Sequence, residues 1–188
     1  MNWIKRVLHI GEKIKRNISK KFPTKSEQEA SNWSSLECCM KGPILKSELE
    51  KNLYVCPSCG SHKRISCRQR FNIFFGKNNY EILETPIPKD DPLGWTDSKK
   101  YIDRLTEARK KTNQDCAVMI ARGNINGMNI TAGAINFDFM GGSIASAEGE
   151  AIITGIQHAI DNNNPFVFFP CGGGQRMHES PIALAQMT

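Results

Sequence analysis

Several protein classes are excluded by what this sequence lacks. No run of eighteen apolar residues occurs, so no single helix of it is built to cross a bilayer. There is no Gly-X-Y period, and 39% apolar with 23% charged residues is the composition of a folding chain rather than of collagen or a disordered tract. The opening MNWIKRVLHIGEKIKRNISKK meets a charge every few residues and holds no apolar stretch for a secretory signal. Gly-x-Gly-x-x-Gly, Gly-x-x-x-x-Gly-Lys-Ser/Thr, Gly-x-Ser-x-Gly and His-Glu-x-x-His are all missing. Dinucleotide, nucleoside-triphosphate, serine-hydrolase and zinc-hydrolase chemistry therefore have no foothold. No internal repeat is present.

What is present is unevenly distributed. The 188 residues suit one domain, or a small one joined to a medium one. The net charge of +6 sits largely in residues 1–30, where eight Lys or Arg face three Glu. Such a basic arm suits a nucleic acid or an acidic partner, or is a solvated, partly helical tail. Trp3, Ile4, Val7, Leu8 and Ile14 lie at roughly helical spacing within it. Seven cysteines, an odd count without an export signal, point to thiols or a metal site rather than a disulfide framework.

The pattern divides the chain into a basic arm (1–35), a cysteine-bearing module (36–75), a connector (76–97) and a final domain (98–188). A helix is expected from about Ser66 through Phe71, Ile73, Phe74 and Phe75. Pro86, Pro88 and Pro92 exclude regular structure after it. From Ser98 a helix runs through YIDRLTEARKKT, with Asp97 or Ser98 as its cap. CAVMIARG and MNITAGAINFDF read as strands joined by a turn at residues 124–127. Gly141-Gly142-Ser143 opens an amphipathic helix with Ile144, Ala147, Ala151, Ile152, Gly155, Ile156, Ala159 and Ile160 on its apolar side. Phe166–Phe169 suits a strand buried on both faces, and PIALAQMT begins another helix. Strand, Gly turn, helix, strand, Gly turn, helix is an α/β order.

Cys56-Pro57-Ser58-Cys59-Gly60 has the form of a zinc knuckle: two thiolates three positions apart grip one tetrahedral ion, and Gly60 permits the turn. Sixteen residues separate Cys39 from Cys56, the right interval for a second pair, but Cys38 and Cys39 are adjacent and their side chains diverge. Three outcomes are open: Cys38, Cys39, Cys56 and Cys59 all bind, His62 or Cys67 replaces one, or nothing binds. A bound zinc would be structural, since so short a module cannot bury enough core unaided. Cys116 and Cys171 read as ordinary buried or loop thiols, and His9 and His158 as surface residues.

Two glycine turns separate a strand from a helix: Phe139-Met140-Gly141-Gly142-Ser143 and Pro170-Cys171-Gly172-Gly173-Gly174-Gln175-Arg176-Met177. Glycine lets backbone approach a ligand, and the first amides of a helix stabilise anions, whether phosphate or an enolate oxygen. Arg176 could add a cation. A second reading is that the turns only let a helix pack closely on a sheet. His178 and Glu179 point to different faces and read as capping, solvated residues rather than an acid–base pair. Asp138 likewise carries no distinct signal.

In combination, MNWI, ELEKNLYVCPSCGSHKRI, DDPLGWTDSKKYIDRLTEARKKT, FDFMGGSIASAEGEAI and FFPCGGGQRMHES resemble the carboxyltransferase β subunit of bacterial and plastid acetyl-CoA carboxylase. The resemblance runs from Met1 to the last helix. It implies an N-terminal zinc ribbon followed by the first part of a crotonase-type (ClpP-like) layered α/β domain. It further implies that carboxyl is moved from carboxybiotin on a carrier protein to acetyl-CoA, giving malonyl-CoA for fatty-acid synthesis. The implied partners are the carboxyltransferase α subunit in an α2β2 tetramer, the biotin carboxyl carrier protein and the ATP-dependent biotin carboxylase, in cytoplasm or plastid stroma. Backbone amides at Gly141, Gly142, Gly173 and Gly174 are implied as oxyanion donors, Gly172, Gly173, Gly174 and Arg176 as the CoA loop, and Cys38, Cys39, Cys56 and Cys59 as zinc ligands.

The chain departs from the family at Cys38-Cys39, where CxxC is usual. It departs again at Cys171-Gly-Gly-Gly-Gln-Arg-Met-His-Glu179, where Ala-Ser-Gly-Gly-Ala-Arg-Met-Gln-Glu is usual. It stops where the family is little more than half complete, before a later Gly-Gly turn, so the expectation is no malonyl-CoA formation by these residues alone. A rival reading from another class is a zinc-ribbon module that binds nucleic acid through Lys63, Arg64, Arg68 and Arg70, though only Tyr54 is near for stacking.

Overall fold

The computed structural model describes residues 32–34 and 43–186. The expectations for residues 1–31, for Cys38 and Cys39, and for the last two residues lie outside the described residues. The chain forms two compact units that divide between Lys63 and Arg64. The sequence pattern groups 36–75 together. The structure instead gives 64–75 to the second unit, because Cys67, Phe71 and Phe75 are buried in that unit's core.

In the first unit, β1 (Trp33–Ser34) pairs antiparallel with β2 (Ile44–Leu45), and α1 (Lys46–Lys51) follows directly. Leu49 and Cys56 are buried there, and Lys63 Nζ donates to Ser34 Oγ at 2.7 Å.

The second unit is built on a four-stranded mixed sheet in the order β3-β4-β5-β6. Helix α2 (Cys67–Phe75) comes first and begins with a capping box. Ser66 Oγ accepts the Gln69 amide while the Gln69 side chain accepts the Ser66 amide, so orphan donors of the first turn are satisfied reciprocally. β3 (Tyr80–Leu83) pairs antiparallel with β4 (Val118–Ile125), so part of the expected connector is a sheet strand. The proline-bearing stretch after it is tied down by a bidentate pair, Arg109 Nη1 and Nη2 to Asp90 Oδ2 and Oδ1 at 2.5 and 2.8 Å. Helix α3 (Tyr101–Thr112) starts three residues later than expected and has no side-chain cap. Asp97 Oδ1 instead accepts from the Lys99 amide and from Arg104.

β4 and β5 (Met128–Ile135) form the expected hairpin, whose two-residue turn has Asn126 and Gly127 at φ 52° and 85°. This is the primed geometry that matches strand twist. The crossover through α4 (Ser146–Asp161) makes β6 (Phe166–Phe169) parallel to β5. α5 (Ser180–Ala185) closes the described chain.

Side chains alternate across the sheet. Val118 and Ile120 face a cluster with Tyr101, Leu105, Phe139 and Ala151, while Ala121, Ala132 and Ala134 face Cys67, Phe71 and Phe75. α3 and α4 thus cover one face and α2 the other. Two expectations are corrected. α4 packs through its small residues Ala151, Gly155 and Ala159, leaving Ile156 and Ile160 exposed. β6 is half-buried along its length because β5 is its sole strand partner among the described residues.

Candidate functional site

The two glycine turns stand at the carboxyl ends of the adjacent parallel strands β5 and β6, the end of an α/β sheet at which ligands bind. They interlock. The Gly173 amide donates to Gly141 O at 3.0 Å, the Ile144 amide to Gly174 O at 2.9 Å, and the Arg176 amide to Ile144 O at 2.7 Å. The approach is too close for any side chain. A Cβ on Gly142 would stand 2.2 Å from Cys171 O, and one on Gly172 would stand 2.3 Å from Gly142 O.

This packing corrects the expectation for two of the four amides. Gly142 donates to Phe139 O at 2.8 Å and Gly173 to Gly141 O, so both are consumed inside the turn pair. α4 begins only at Ser146, so Gly141-Gly142-Ser143 forms a separate 3₁₀ turn rather than the helix start. The amides of Gly172 and Gly174 take part in none of these bonds, and residues 171–175 are exposed. An exposed turn with such amides is able to hold an oxyanion.

Arg176 is not at the surface. It is 2% exposed, and every nitrogen of its guanidinium is engaged. Nη2 donates to Glu148 Oε1 and to Ser143 O, both at 2.6 Å, Nε to Ser143 Oγ at 3.1 Å, and Nη1 to Tyr101 OH at 3.1 Å. Burial opposes its charge, but Glu148 and Tyr101 more than offset that, so its pKa is raised. Arg176 thereby ties the second turn to Ser143 and Glu148 beside the first.

Glu148, fully buried, also accepts the amides of Ala117 and Ala145 at 2.9 Å each. Glu179 corrects a second expectation. Rather than solvated, it is 4% exposed and accepts Tyr101 OH at 2.7 Å, Ser146 Oγ at 2.6 Å and the Ser146 amide at 3.0 Å. Both carboxylates thereby sit at the amino end of α4, where backbone donors favour negative charge. Burial raises the Tyr101 pKa, so the phenol stays protonated as a donor to Glu179. His178 stacks on Tyr101 with ring centroids 4.9 Å apart, and burial depresses its pKa.

Sequence reading missed Glu148, Tyr101, Ser143 and Ser146. A signal existed for Glu148: it falls on the stripe of Ala145, Ala151 and Gly155, where a carboxylate belongs only if it is paired.

The cysteines separate. Cys67 belongs to the second unit's core, its Sγ 3.2 Å from Ala134 O, and burial raises its pKa to about 11. Cys116 is buried likewise, raised to about 12, and Cys171 is exposed in its loop. Around Cys56 and Cys59 the chain makes a tight turn. Gly60 N donates to Cys56 O at 2.9 Å, Cys56 N to Ser61 O at 2.8 Å, and Val55 bridges to His62. Among the described residues no group of three His, Cys, Asp or Glu is placed to hold a metal, and no helix is long and apolar enough to cross a membrane.

Residues 96–188 match the carboxyl transferase domain family. The chain is 62% identical over all 188 residues to the acetyl-coenzyme A carboxylase carboxyl transferase subunit β of Pelagibacter ubique (strain HTCC1062), and it spans 60% of that relative's length. A transcarboxylase 12S structure with methylmalonyl-coenzyme A and methylmalonic acid bound is 21% identical, with a TM-score of 0.51 over 66% of this chain and 22% of that one. A second transcarboxylase 12S structure, with hydrolysed methylmalonyl-coenzyme A, is 20% identical with a TM-score of 0.50 over 65% of this chain and 22% of that one. The solved structures establish a shared fold, and the sequence comparisons make residues 96–188 similar to carboxyl transferase domains and the whole chain similar to an acetyl-coenzyme A carboxylase carboxyl transferase β subunit.

Proposed function

We propose that this chain supplies the β part of a carboxyl transferase that moves a carboxyl group from carboxybiotin on a carrier protein to acetyl-CoA, forming malonyl-CoA. The observation that carries the reading is the interlocked pair of glycine turns, with the Gly172 and Gly174 amides outside the interlock on an exposed loop. The acetyl methyl group must lose a proton to become an enolate, and the enolate carbon then attacks the carboxyl carbon. The proton ends on the biotin nitrogen that released the carboxyl group. Charge accumulates on the thioester oxygen, which backbone amides stabilise without a side-chain nucleophile. The Arg176–Glu148 and Glu179–Tyr101 ties hold the turns in place, so Arg176 acts as a positioning residue. The turns belong, on this reading, to the first part of a crotonase-type domain.

The proposed partners are a carboxyltransferase α subunit in an α2β2 assembly, the biotin carrier and biotin carboxylase, in cytoplasm or plastid stroma. A structural zinc fits the knuckle turn at Cys56 and Cys59, with Cys38 and Cys39 as the remaining ligands. Measured zinc content that falls on Cys56→Ser supports this; unchanged content overturns it. For the reaction, the chain is mixed with the α subunit, the C-terminal part of a relative's β subunit, biotinylated carrier, biotin carboxylase, ATP, bicarbonate and acetyl-CoA. Malonyl-CoA is expected from the full mixture and not from the chain alone. No product when everything is supplied would overturn carboxyl transfer.

A further inference from the structure

The arginines of the second unit fall into two groups. Arg104, Arg109, Arg122 and Arg176 each pair with a carboxylate. Arg64, Arg68 and Arg70 pair with none among the described residues, although all three are exposed. Of these three, Arg64 and Arg70 each lie over an aromatic ring. The Arg64 Cζ is 3.8 Å from the Phe137 centroid, and the Arg70 Cζ is 5.6 Å from that of Phe169. Those two rings immediately precede the two glycine turns. Phe137 leads into Gly141-Gly142, and Phe169 leads through Pro170 and Cys171 into Gly172. Four residues of chain span at most ~14 Å and three at most ~11 Å, so each ring under a guanidinium is tied closely to its turn.

α2 is fixed in this place by two contacts. The Cys67 thiol reaches Ala134 O near the end of β5 at 3.2 Å, and Phe74 packs edge-on against Phe169 at 5.2 Å. A guanidinium held over a ring loses little freedom on binding, and its planar fork suits phosphate oxygens. Resting on the proposed function above, we infer that Arg64 and Arg70 anchor the nucleotide phosphates of CoA while its thioester reaches the Gly172–Gly174 turn. A nucleic acid is the poorer occupant, because the two aromatic faces on which bases would stack are already covered by the guanidinium groups.

The test is calorimetric titration of the 188-residue chain with CoA and with S-acetylpantetheine, which has the thioester arm but no nucleotide. Arg64→Gln/Arg70→Gln is expected to weaken CoA binding by about tenfold or more, the loss of at least one charge-assisted contact, and to leave S-acetylpantetheine unchanged. Arg64→Lys/Arg70→Lys, which keeps charge but not the fork, should fall between. Both sites are exposed, and unaltered thermal unfolding of the variants verifies that they fold. Equal CoA affinity in the Gln variant, or an equal loss for both probes, overturns the subsite alone. If the unaltered chain binds neither probe, the carboxyl-transfer reading fails and the subsite with it. A random RNA oligomer that binds more tightly than CoA through the same arginines would replace the proposal with a nucleic-acid surface.

Discussion

The two ends of the central sheet treat polar residues in opposite ways. At the carboxyl ends of β5 and β6, Arg176, Glu148 and Glu179 are withdrawn from water and every charge meets a partner. At the other end, Asn79, Asn124, Asn129, His158, Asn162 and Asn164 line an open cavity of about 360 Å³. There the polar groups serve turns and helix ends, as when the Gly127 amide meets Asn124 Oδ1 or Asn162 Nδ2 meets His158 O. The glycines differ too. Gly142 and Gly172 are where they are because a second backbone passes too close for a Cβ, whereas Gly127 has nothing within 4 Å and serves only its φ of 85°. One end is built to hold two backbone turns rigidly against each other; the other merely reverses the chain.

Substitutions can break or sharpen this contrast. The largest effect is expected from Arg176→Met, which strands the buried Glu148 carboxylate and should cost about 3–5 kcal/mol in chemical unfolding. Adding Glu148→Gln should recover much of that loss; a double variant no more stable than the single would mean that the pair is not the tie described here. Gly142→Ala comes next, with a cost of about 2–4 kcal/mol, because the rigid Cys171 carbonyl has to move. Gly127→Ala meets only backbone strain and should cost about 1 kcal/mol; a loss matching that of Gly142→Ala would erase the distinction between the ends.

The smallest effect concerns pH. The His178 pKa is depressed from 6.5 by burial, with Arg104 and Arg176 also lowering it and Asp97 and Asp91 opposing. The unfolded chain therefore binds more protons than the folded one just below pH 6.5, and stability falls as pH drops through that window. His178→Gln should flatten this slope in urea melts at pH 5 to 7, and an identical slope in both chains would remove His178 as its source.

Much of the fold was legible because its signals are local. Ser66 with Gln69 announces a helix start, Asn126-Gly127 announces a hairpin, and the three prolines mark the irregular connector. The site was legible only as two glycine turns. Which amides remain outside the interlock depends on Gly141 meeting Gly173, which no local pattern encodes. Arg176 illustrates the same limit. Beside a glycine turn it reads as a cation offered to a ligand, but Ser143, thirty-three residues away, and Glu148 draw it inside.

Residue order alone thus determined the α/β succession, the hairpin, the two glycine turns and the likeness to carboxyl transferases, since each rests on neighbours within a few positions or on motif identity. Tertiary structure decided that α2 joins the second unit, that α4 packs by its small residues, and that Arg176 and Glu179 are structural ties. The physical reason is that burial and pairing of charge are settled by what folds against a residue from elsewhere in the chain. A side chain's own type and neighbours fix what it can bond, not what it will meet.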